Sequence, residues 1–440
     1  MPDIAGSERH KPTSLRGIAY TARLKTDHRF RNLYGELTPE FLLTAWKRIN
    51  KGASSGVDKV TAKEYARNLT ENLDNLAQRL KCKRYKAKLV KRTYIPKENG
   101  KQRPLGIPAL EDKIVQRAVA MLLEAIYEQD FLACSYGYRP NRGAQDAVSD
   151  LTYQLQFGRF GYVVEADIQG FFDHLDHEWL LRMLALRIDD TAFLGLIRKW
   201  LKAGILEPDG MIIHPDTGTP QGGIVSPILA NVYLHYALDL WFDRKVTSQC
   251  QGEAMMCRYA DDWVCGFRFK ADADRFYAAL PERLAKFRLQ VEPTKTHILK
   301  FSRFHPEMRR RFSFLGFEFF WFPDRKGTPR VTRRTARKKF RAAVNRMKVW
   351  IQENRHKSKR WFMKTVQTKL VGHYQYYGVH GNSRALWEFY EEVKKLLFKW
   401  LNRRSQRRSY TWKAFLQMLK NIRLAVPRIT EKKRVCRRVC

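Results

Sequence analysis

Residues 255–267 read Met255-Met256-Cys257-Arg258-Tyr259-Ala260-Asp261-Asp262-Trp263-Val264-Cys265-Gly266-Phe267, two strand-forming runs around a pair of adjacent carboxylates. The pattern predicts a β-hairpin with Asp261 and Asp262 at its turn. Adjacent aspartates repel, so holding them together is costly unless a cation lies between them. A hard divalent metal is the cation that carboxylate oxygens prefer. A solvated Asp-Asp turn is the plainer reading, because aspartate is common in turns. The rest of the chain decides between the two.

A third carboxylate, Asp167, ends the run Tyr162-Val163-Val164-Glu165-Ala166, which reads as a buried strand. Three carboxylates from two adjacent strand ends can hold two metal ions roughly 3.5–4 Å apart. That arrangement suits in-line displacement at phosphorus: one ion lowers the pKa of an attacking 3′-hydroxyl, and the other holds a triphosphate. Positioning and charge neutralisation dominate such a reaction, so little side-chain acid–base work is needed. Asp173 and Asp176, close by, read as helix caps or salt-bridge partners.

Around these strands the chain alternates between helix and strand signals. Val90 to Pro96 and Pro104 to Ile107 read as strands joined through the turn signal Asn99-Gly100. Apolar spacing (Ile114, Val115, Ala118, Met121, Leu122, Ala125, Ile126) predicts a helix over 111–128. Helical patterns also run from Thr38 to Leu80 with a loop at 51–58, from His177 to Leu201, from Ser226 to Leu240 with Pro227 in the first turn, and near 272–288. The first 35 residues are polar and basic and are expected to form a flexible arm. Beyond Thr328 the periodicity is helical throughout.

Charge narrows the function. With 83 Lys and Arg against 44 Asp and Glu, the 440-residue chain carries +39. So large an excess implies a polyanionic partner, since the bare protein would repel itself. Nucleic acid fits, and the 13% aromatic content offers stacking surfaces for bases. No apolar run is long enough to span a bilayer and no signal-peptide core is visible, so no membrane partner is expected. From 328 to the C-terminus basic residues outnumber acidic ones 32 to 5, with Trp350, Trp361, Tyr374, Tyr376, Tyr377, Trp387, Trp400 and Trp412 among them. The acidic residues that would balance a merely solvated face are missing. This region is therefore expected to grip a nucleic-acid backbone. The seven cysteines follow no zinc or disulfide spacing and read as reduced thiols.

At this point seven segments, in order, resemble the signature blocks of reverse transcriptases, most closely those encoded by group II introns (intron maturases). Ala166-Asp167-Ile168-Gln169-Gly170-Phe171-Phe172-Asp173, Gly218-Thr219-Pro220-Gln221-Gly222-Gly223 through Pro227, and Tyr259-Ala260-Asp261-Asp262 resemble the three catalytic palm motifs. Val291-Glu292-Pro293-Thr294-Lys295-Thr296 and Phe312-Ser313-Phe314-Leu315-Gly316-Phe317 resemble the blocks closing the palm. Ile95-Pro96-Lys97 through Pro108 and Ser135 through Gly143 resemble fingers blocks. Gly372 to Gly378 and Phe398 to Arg404 are similar to the thumb and maturase domain. The resemblance implies an α+β right-hand polymerase: fingers and palm with an antiparallel sheet, then an all-helical thumb/maturase domain. The divisions expected are a basic arm at 1–35, fingers at 36–155, palm at 156–325, helical domain at 326–430 and a basic tail at 431–440.

It also implies roles. Asp167, Asp261 and the Ile168 carbonyl would bind two Mg2+ ions, with Mn2+ as a substitute and Asp262 as a weaker ligand. Lys97 and Arg103 would reach the incoming dNTP, as a point charge and a planar fork. Phe172 would pack under the sugar and exclude a 2′-hydroxyl, or else be a core aromatic. Gln221 would line the nucleotide pocket, and Gly222 and Gly223 would admit the template–primer closely. Lys295 would approach the triphosphate, or lie on the surface. Arg139, Arg337, Lys338, Arg403 and Arg404 are the candidate nucleic-acid contacts. No His/Cys endonuclease block follows the helical region, so second-strand cleavage by this chain is not expected.

The leading expectation is an RNA-directed DNA polymerase that extends a DNA or RNA primer on an RNA template and binds its own structured intron RNA as a maturase, in the bacterial cytoplasm. One alternative is a related enzyme acting in phage defence with a noncoding RNA. Another is a non-enzymatic RNA-binding splicing chaperone, against which the retention of Asp167, Asp261, Asp262, Lys97 and Arg103 together argues.

Overall fold

The computed structural model describes residues 14–96, 100, 102–404 and 409–432. Lys97 therefore lies outside the described residues, as do 1–13 and 433–440. The chain begins with α1 (Leu15–Leu24), α2 (Pro39–Arg48), α3 (Ala62–Tyr65) and α4 (Leu69–Lys81). Ser14, Thr38 and Thr61 cap the first three of these, the last through a reciprocal capping box with Glu64. There follow β1 (Val90–Pro96), β2 (Gln102–Ile107), the long buried α5 (Leu110–Tyr127), α6 (Ala144–Phe157), β3 (Tyr162–Asp167), α7 (Phe171–His174), α8 (His177–Ala185) and α9 (Thr191–Leu201).

Residues 14–35 are not a flexible arm. Ile18 and Ala22 of α1 are buried in the same core as α5. The buried Arg187 guanidinium donates to the carbonyls of Ala22, Lys25, Thr26 and His28 and pairs with Asp130 at 2.9 Å. A polar average composition concealed a two-residue apolar stripe and a distant arginine that satisfies the backbone. The predicted 177–201 helix is likewise two, because Asp190 caps a fresh start by accepting from the Phe193 amide at 2.9 Å.

Short strands β4 (Ile205–Leu206) and β5 (Ile212–Ile213) precede α10 (Ser226–Leu234), which continues through π-helical turns at His235–Asp239 and Phe242–Val246 into α11 (Thr247–Gln249). Next come β6 (Ala254–Tyr259), β7 (Asp262–Phe267), α12 (Lys270–Ala285), β8 (His297–Lys300), β9 (Phe312–Phe314), β10 (Phe317–Pro323) and β11 (Pro329–Thr335). Helices α13 (Arg337–Asn354), α14 (Lys359–Tyr377), α15 (Ser383–Leu401) and α16 (Trp412–Asn421) complete the chain.

The strands form three sheets. The central one, in order β6-β7-β3-β8, is antiparallel throughout. A second, β2-β1-β4-β5, is mixed, since β1 runs parallel to β4. The third, β11-β10-β9, corrects two expectations at once. Residues 329–335 are a strand and not a helix, and a palm boundary at 325 would cut the β10–β11 hairpin in half. The alternation Val331, Arg333, Thr335 inward is a period of two that the surrounding basic helices masked.

Three cores result. One joins the N-terminal helices, α5, α8–α10 and one face of the central sheet. A second lies between the other face, α6 and the third sheet. The third belongs to α13–α16, around Ile351, Phe362, Val366, Leu370 and Leu397. Glu431 ties this helical unit back to the third sheet, pairing with the buried Arg333 at 2.8 Å and accepting from the His380 amide at 2.7 Å.

Candidate active site

The hairpin forms as its sequence requires. Tyr259 pairs with Asp262, leaving Ala260 and Asp261 as a two-residue loop. Ala260 has φ +56°, an uncommon conformation for a residue with a Cβ. Two contacts hold it. Arg258 Nη1 donates to the Ala260 carbonyl at 2.9 Å, and Gly137 packs so closely that a Cβ there would lie 2.4 Å from the Ala260 nitrogen. Only glycine admits that approach.

Beneath the loop, Arg258 is fully buried. Its guanidinium pairs with Asp239 at 2.5 Å and donates to Asn231 Oδ1 at 3.1 Å and Ser135 Oγ at 2.8 Å. Asp239 comes from the first π-helical turn after α10, and Ser135 from the segment whose backbone bridges Arg258. Arg258 was not among the residues singled out from the sequence. Its signal was there: one arginine in an apolar strand and one aspartate in an apolar helix, each needing a buried partner.

Register then brings the carboxylates together. Asp167, at the end of β3, stands directly opposite Asp262. Burial, followed by the Asp167 and Asp261 charges, pushes the Asp262 carboxyl up to about 7, against a lowering contact from the Leu315 backbone amide. Burial raises Asp261 as well, with Asp167 adding to the shift and Arg103 and Arg258 opposing it. Glu165, two residues back on the same face of β3, is a fourth carboxylate that the sequence reading passed over. Burial raises it, while the Ser313 amide at 2.7 Å and His297 at 2.6 Å counter the shift. Lys295 is both exposed and part of the site, because its ammonium pairs with Asp167.

Backbone pairing fixes the direction of the Ile168 carbonyl. Ile168 bridges Val291, but the hydrogen bonds of that bridge run from Gln169 to Gln290 and from Glu292 to Asp167. Its own carbonyl therefore points to the opposite edge, the side of β7.

These groups fit a cation. Carboxylates held close enough to raise one another, with an ammonium already resting on one, are what a positive ion would relieve. Among the described residues no three acidic or imidazole side chains converge closely enough to hold a metal by themselves. Backbone and substrate oxygens would have to complete the shell, as hard cations allow.

The other predicted site residues sort into two groups. Arg103 is exposed on β2 and acts on both Asp261 and Tyr138. Phe172 is half-buried in α7, edge-on to Phe171, and its carbonyl accepts from the Thr219 amide at 2.8 Å. Gln221 accepts at its carbonyl from the Gly106 amide at 2.6 Å, which places the 218–223 loop against the β2 strand. Gly222, at φ +115°, is required by that contact, since a Cβ would lie 2.6 Å from the Gly106 carbonyl oxygen. The neighbour that a Cβ there would strike is this chain's own backbone.

Arg139 is a correction. It is buried, pairs with Glu128 at 2.8 Å and donates to the Leu132 and Ser135 carbonyls. It holds a loop and is closed to nucleic acid. Gly223 is buried as well. Arg337, Lys338, Arg403 and Arg404 are exposed, though Arg404 also donates to the Lys357 carbonyl at 2.7 Å. Asp176 caps α8 through the Trp179 amide and pairs with Arg288, as expected of it.

An antiparallel sheet presenting paired carboxylates at adjacent strand ends, with cations facing them, suits metal-assisted transfer at phosphorus. Residues 95–319 match the reverse transcriptase (RNA-dependent DNA polymerase) family, and the chain belongs to it. It is 34% identical to protein YkfC of Escherichia coli, over 67% of this chain and 84% of that one. It is 40% identical to the group II intron-encoded protein LtrA of Lactococcus lactis subsp. cremoris, over 53% of this chain but only 40% of that one. A segment covering 22% of the chain is 28% identical to nuclear intron maturase 1, mitochondrial, of Arabidopsis thaliana, of which it spans 13%. A telomerase structure from Candida albicans aligns over 78% of this chain and 64% of that one at 14% identity and a TM-score of 0.42, too loose a likeness to argue from. The fold and activity are those of an RNA-directed DNA polymerase that uses divalent metal ions, related to group II intron reverse transcriptases and maturases. No helix among the described residues is long and apolar enough to cross a membrane.

Proposed function

We propose that Asp167, Asp261, Asp262 and the Ile168 carbonyl are the metal ligands of this polymerase, and that Mg2+ is the ion, with Mn2+ able to replace it. The observation that carries this is the Asp167–Asp262 register with the Lys295 ammonium already seated on Asp167. When bound, the ions supply a lowered pKa at the primer 3′-hydroxyl and neutralise charge on the triphosphate.

The chain's own groups do the rest. Arg258 and Gly137 fix the Ala260–Asp261 loop so that both aspartates keep their positions. Arg103, whose charge acts on Asp261, would offer its planar fork to the triphosphate, and Lys97 would reach it as a point charge. Lys295, seated on Asp167, would turn to the leaving pyrophosphate and give it a proton. Phe172, packed on Phe171 and held by the Thr219 amide, forms a rigid floor under the sugar that discriminates against a 2′-hydroxyl. Gln221 contributes to the nucleotide pocket from a loop braced on β2.

The partners we infer are an RNA template, a DNA or RNA primer and the chain's own structured RNA, with Arg337, Lys338, Arg403 and Arg404 on the gripping surface. Likeness to an intron-encoded protein and an intron maturase supports a role in group II intron splicing and mobility, a role that we place in the bacterial cytoplasm. The test is primer extension on an RNA template with Mg2+, together with sequencing of the RNA that co-purifies. DNA product and a catalytic intron RNA are expected. A different noncoding RNA would redirect the biological role without touching the chemistry, and absence of extension would sink the ligand assignment.

A further inference from the structure

The third sheet has one face in the core and one face open. On β10, Phe317, Phe319 and Trp321 are buried, while Glu318, Phe320 and Phe322 alternate to the other side. The β10–β11 register sets Arg334 opposite Glu318, Thr332 opposite Phe320 and Arg330 opposite Phe322. The open face is therefore a ladder of aromatic and arginine rungs.

Its rungs differ in cover. The Arg311 and Arg334 guanidinium groups lie 5.1 and 5.2 Å from the Phe320 ring centroid, and both pair with Glu318. Phe320 is only 8% exposed as a result. Phe322 is 52% exposed. The first turn of α13 and the start of α15 wall the face into a cleft of about 760 Å³. Arg337 and Arg341 enter it exposed; the Arg337 amide donates to Glu318 at 3.3 Å, but neither guanidinium pairs with a carboxylate among the described residues. Five arginines line it, and Glu318 and Glu388 are the acids that face them.

We propose that this face is a binding site for single-stranded RNA, with an unpaired base stacked on Phe322 and its flanking phosphates against Arg337 and Arg341. A duplex shows a protein its phosphates and keeps its base faces stacked, so it would satisfy the arginines and leave the ring unused. A single strand offers both a π-face and phosphates. Open antiparallel sheets with exposed aromatics take unstacked RNA bases in this way. The site lies on a different sheet from Asp167 and Asp262, so it is an addition to the polymerase centre. It rests on the RNA-handling role proposed above and specifies where and in what form one strand is held.

The test is fluorescence-anisotropy titration of the full chain and its variants with two labelled probes, a short unstructured oligoribonucleotide and a blunt RNA–DNA hybrid of equal length. Phe322→Ala should weaken single-strand binding about tenfold and hybrid binding by less than about twofold. Phe322→Tyr, which keeps the stacking face, should restore it. Arg341→Glu should make the single-strand affinity less steeply salt-dependent. Equal losses for both probes, no loss for either, or displacement of the oligoribonucleotide by an acidic peptide at similar concentration would each overturn the site. Primer extension by the unmodified chain is measured alongside. Its absence would count against the polymerase reading alone, and missing stacking in a chain that extends would count against the cleft alone.

Discussion

The central sheet and the C-terminal helices carry charge in opposite ways. In the sheet region charges are answered by acids: the buried Arg258 by Asp239 at zero exposure, the buried Arg139 by Glu128, and the exposed Lys295 by Asp167. In the helices, where Arg384, Lys394 and Lys395 pair with the few acids of α15, other cations lie against rings: Arg355 and Arg403 over Trp400, Lys369 over Trp350, Lys359 over Tyr410. A catalytic charge must be held still, so its desolvation is offset by fixed partners. A gripping charge must stay hydrated and adaptable, and an aromatic face supports it without neutralising it.

That contrast can be broken experimentally. The largest effect expected is from Asp261→Ala/Asp262→Ala, which should reduce primer extension about a thousandfold or more while RNA affinity persists. Retained extension would remove the pair from the chemistry. Next, Arg258→Met should lower unfolding stability in urea by about 3–5 kcal/mol, because it strands Asp239 in the core, and Arg258→Met/Asp239→Leu should recover most of it. By comparison, Arg403→Met should change stability by less than about 0.5 kcal/mol yet weaken RNA binding. If the two arginines behave alike, the comparison fails.

Within the palm, Phe172→Val should raise ribonucleotide incorporation on the order of tenfold, read as the ratio of kcat/KM for rNTP and dNTP. No change would leave Phe172 as a core aromatic.

A further prediction concerns His373. Burial holds its imidazole down to about 4, it stacks on Phe389 at 3.8 Å, and its Nε2 has no hydrogen-bond partner among the described residues. The folded state keeps it neutral, whereas the unfolded chain takes a proton near 6.5. Its contribution is thus present above about pH 6.5 and is lost as pH falls toward 4. His373→Phe should leave the Tm at pH 7.5 almost unchanged and reduce its fall at pH 5, an effect of about 1–2 kcal/mol. His235 of the palm, held near 4 by burial in the same sense, should keep the rest of the acid sensitivity.

The elements that were legible in the sequence share a cause. The 255–267 hairpin, the strand ending at Asp167 and the helix over 111–128 are local patterns, in which period and turn chemistry agree over a few residues. The misread elements also share one. Residues 14–35 looked like a loose arm because Arg187, far along the chain, satisfies their carbonyls. Arg139 looked like a nucleic-acid contact because residue type reports charge and says nothing of burial. Residues 329–335 looked helical because basic residues on both sides blurred a period of two.

For the proposed catalytic centre, the sequence by itself indicated the kind of chemistry: two carboxylates at a turn and one at a strand end, in a chain of charge +39. Only tertiary structure decided how they meet. The Asp167–Asp262 register, the Arg258–Asp239 pair under the loop and the approach of Gly137 to Ala260 each join residues distant in the chain. They depend on burial and packing, which local spacing does not encode, and the same burial raises the carboxyl of Asp262 to about 7.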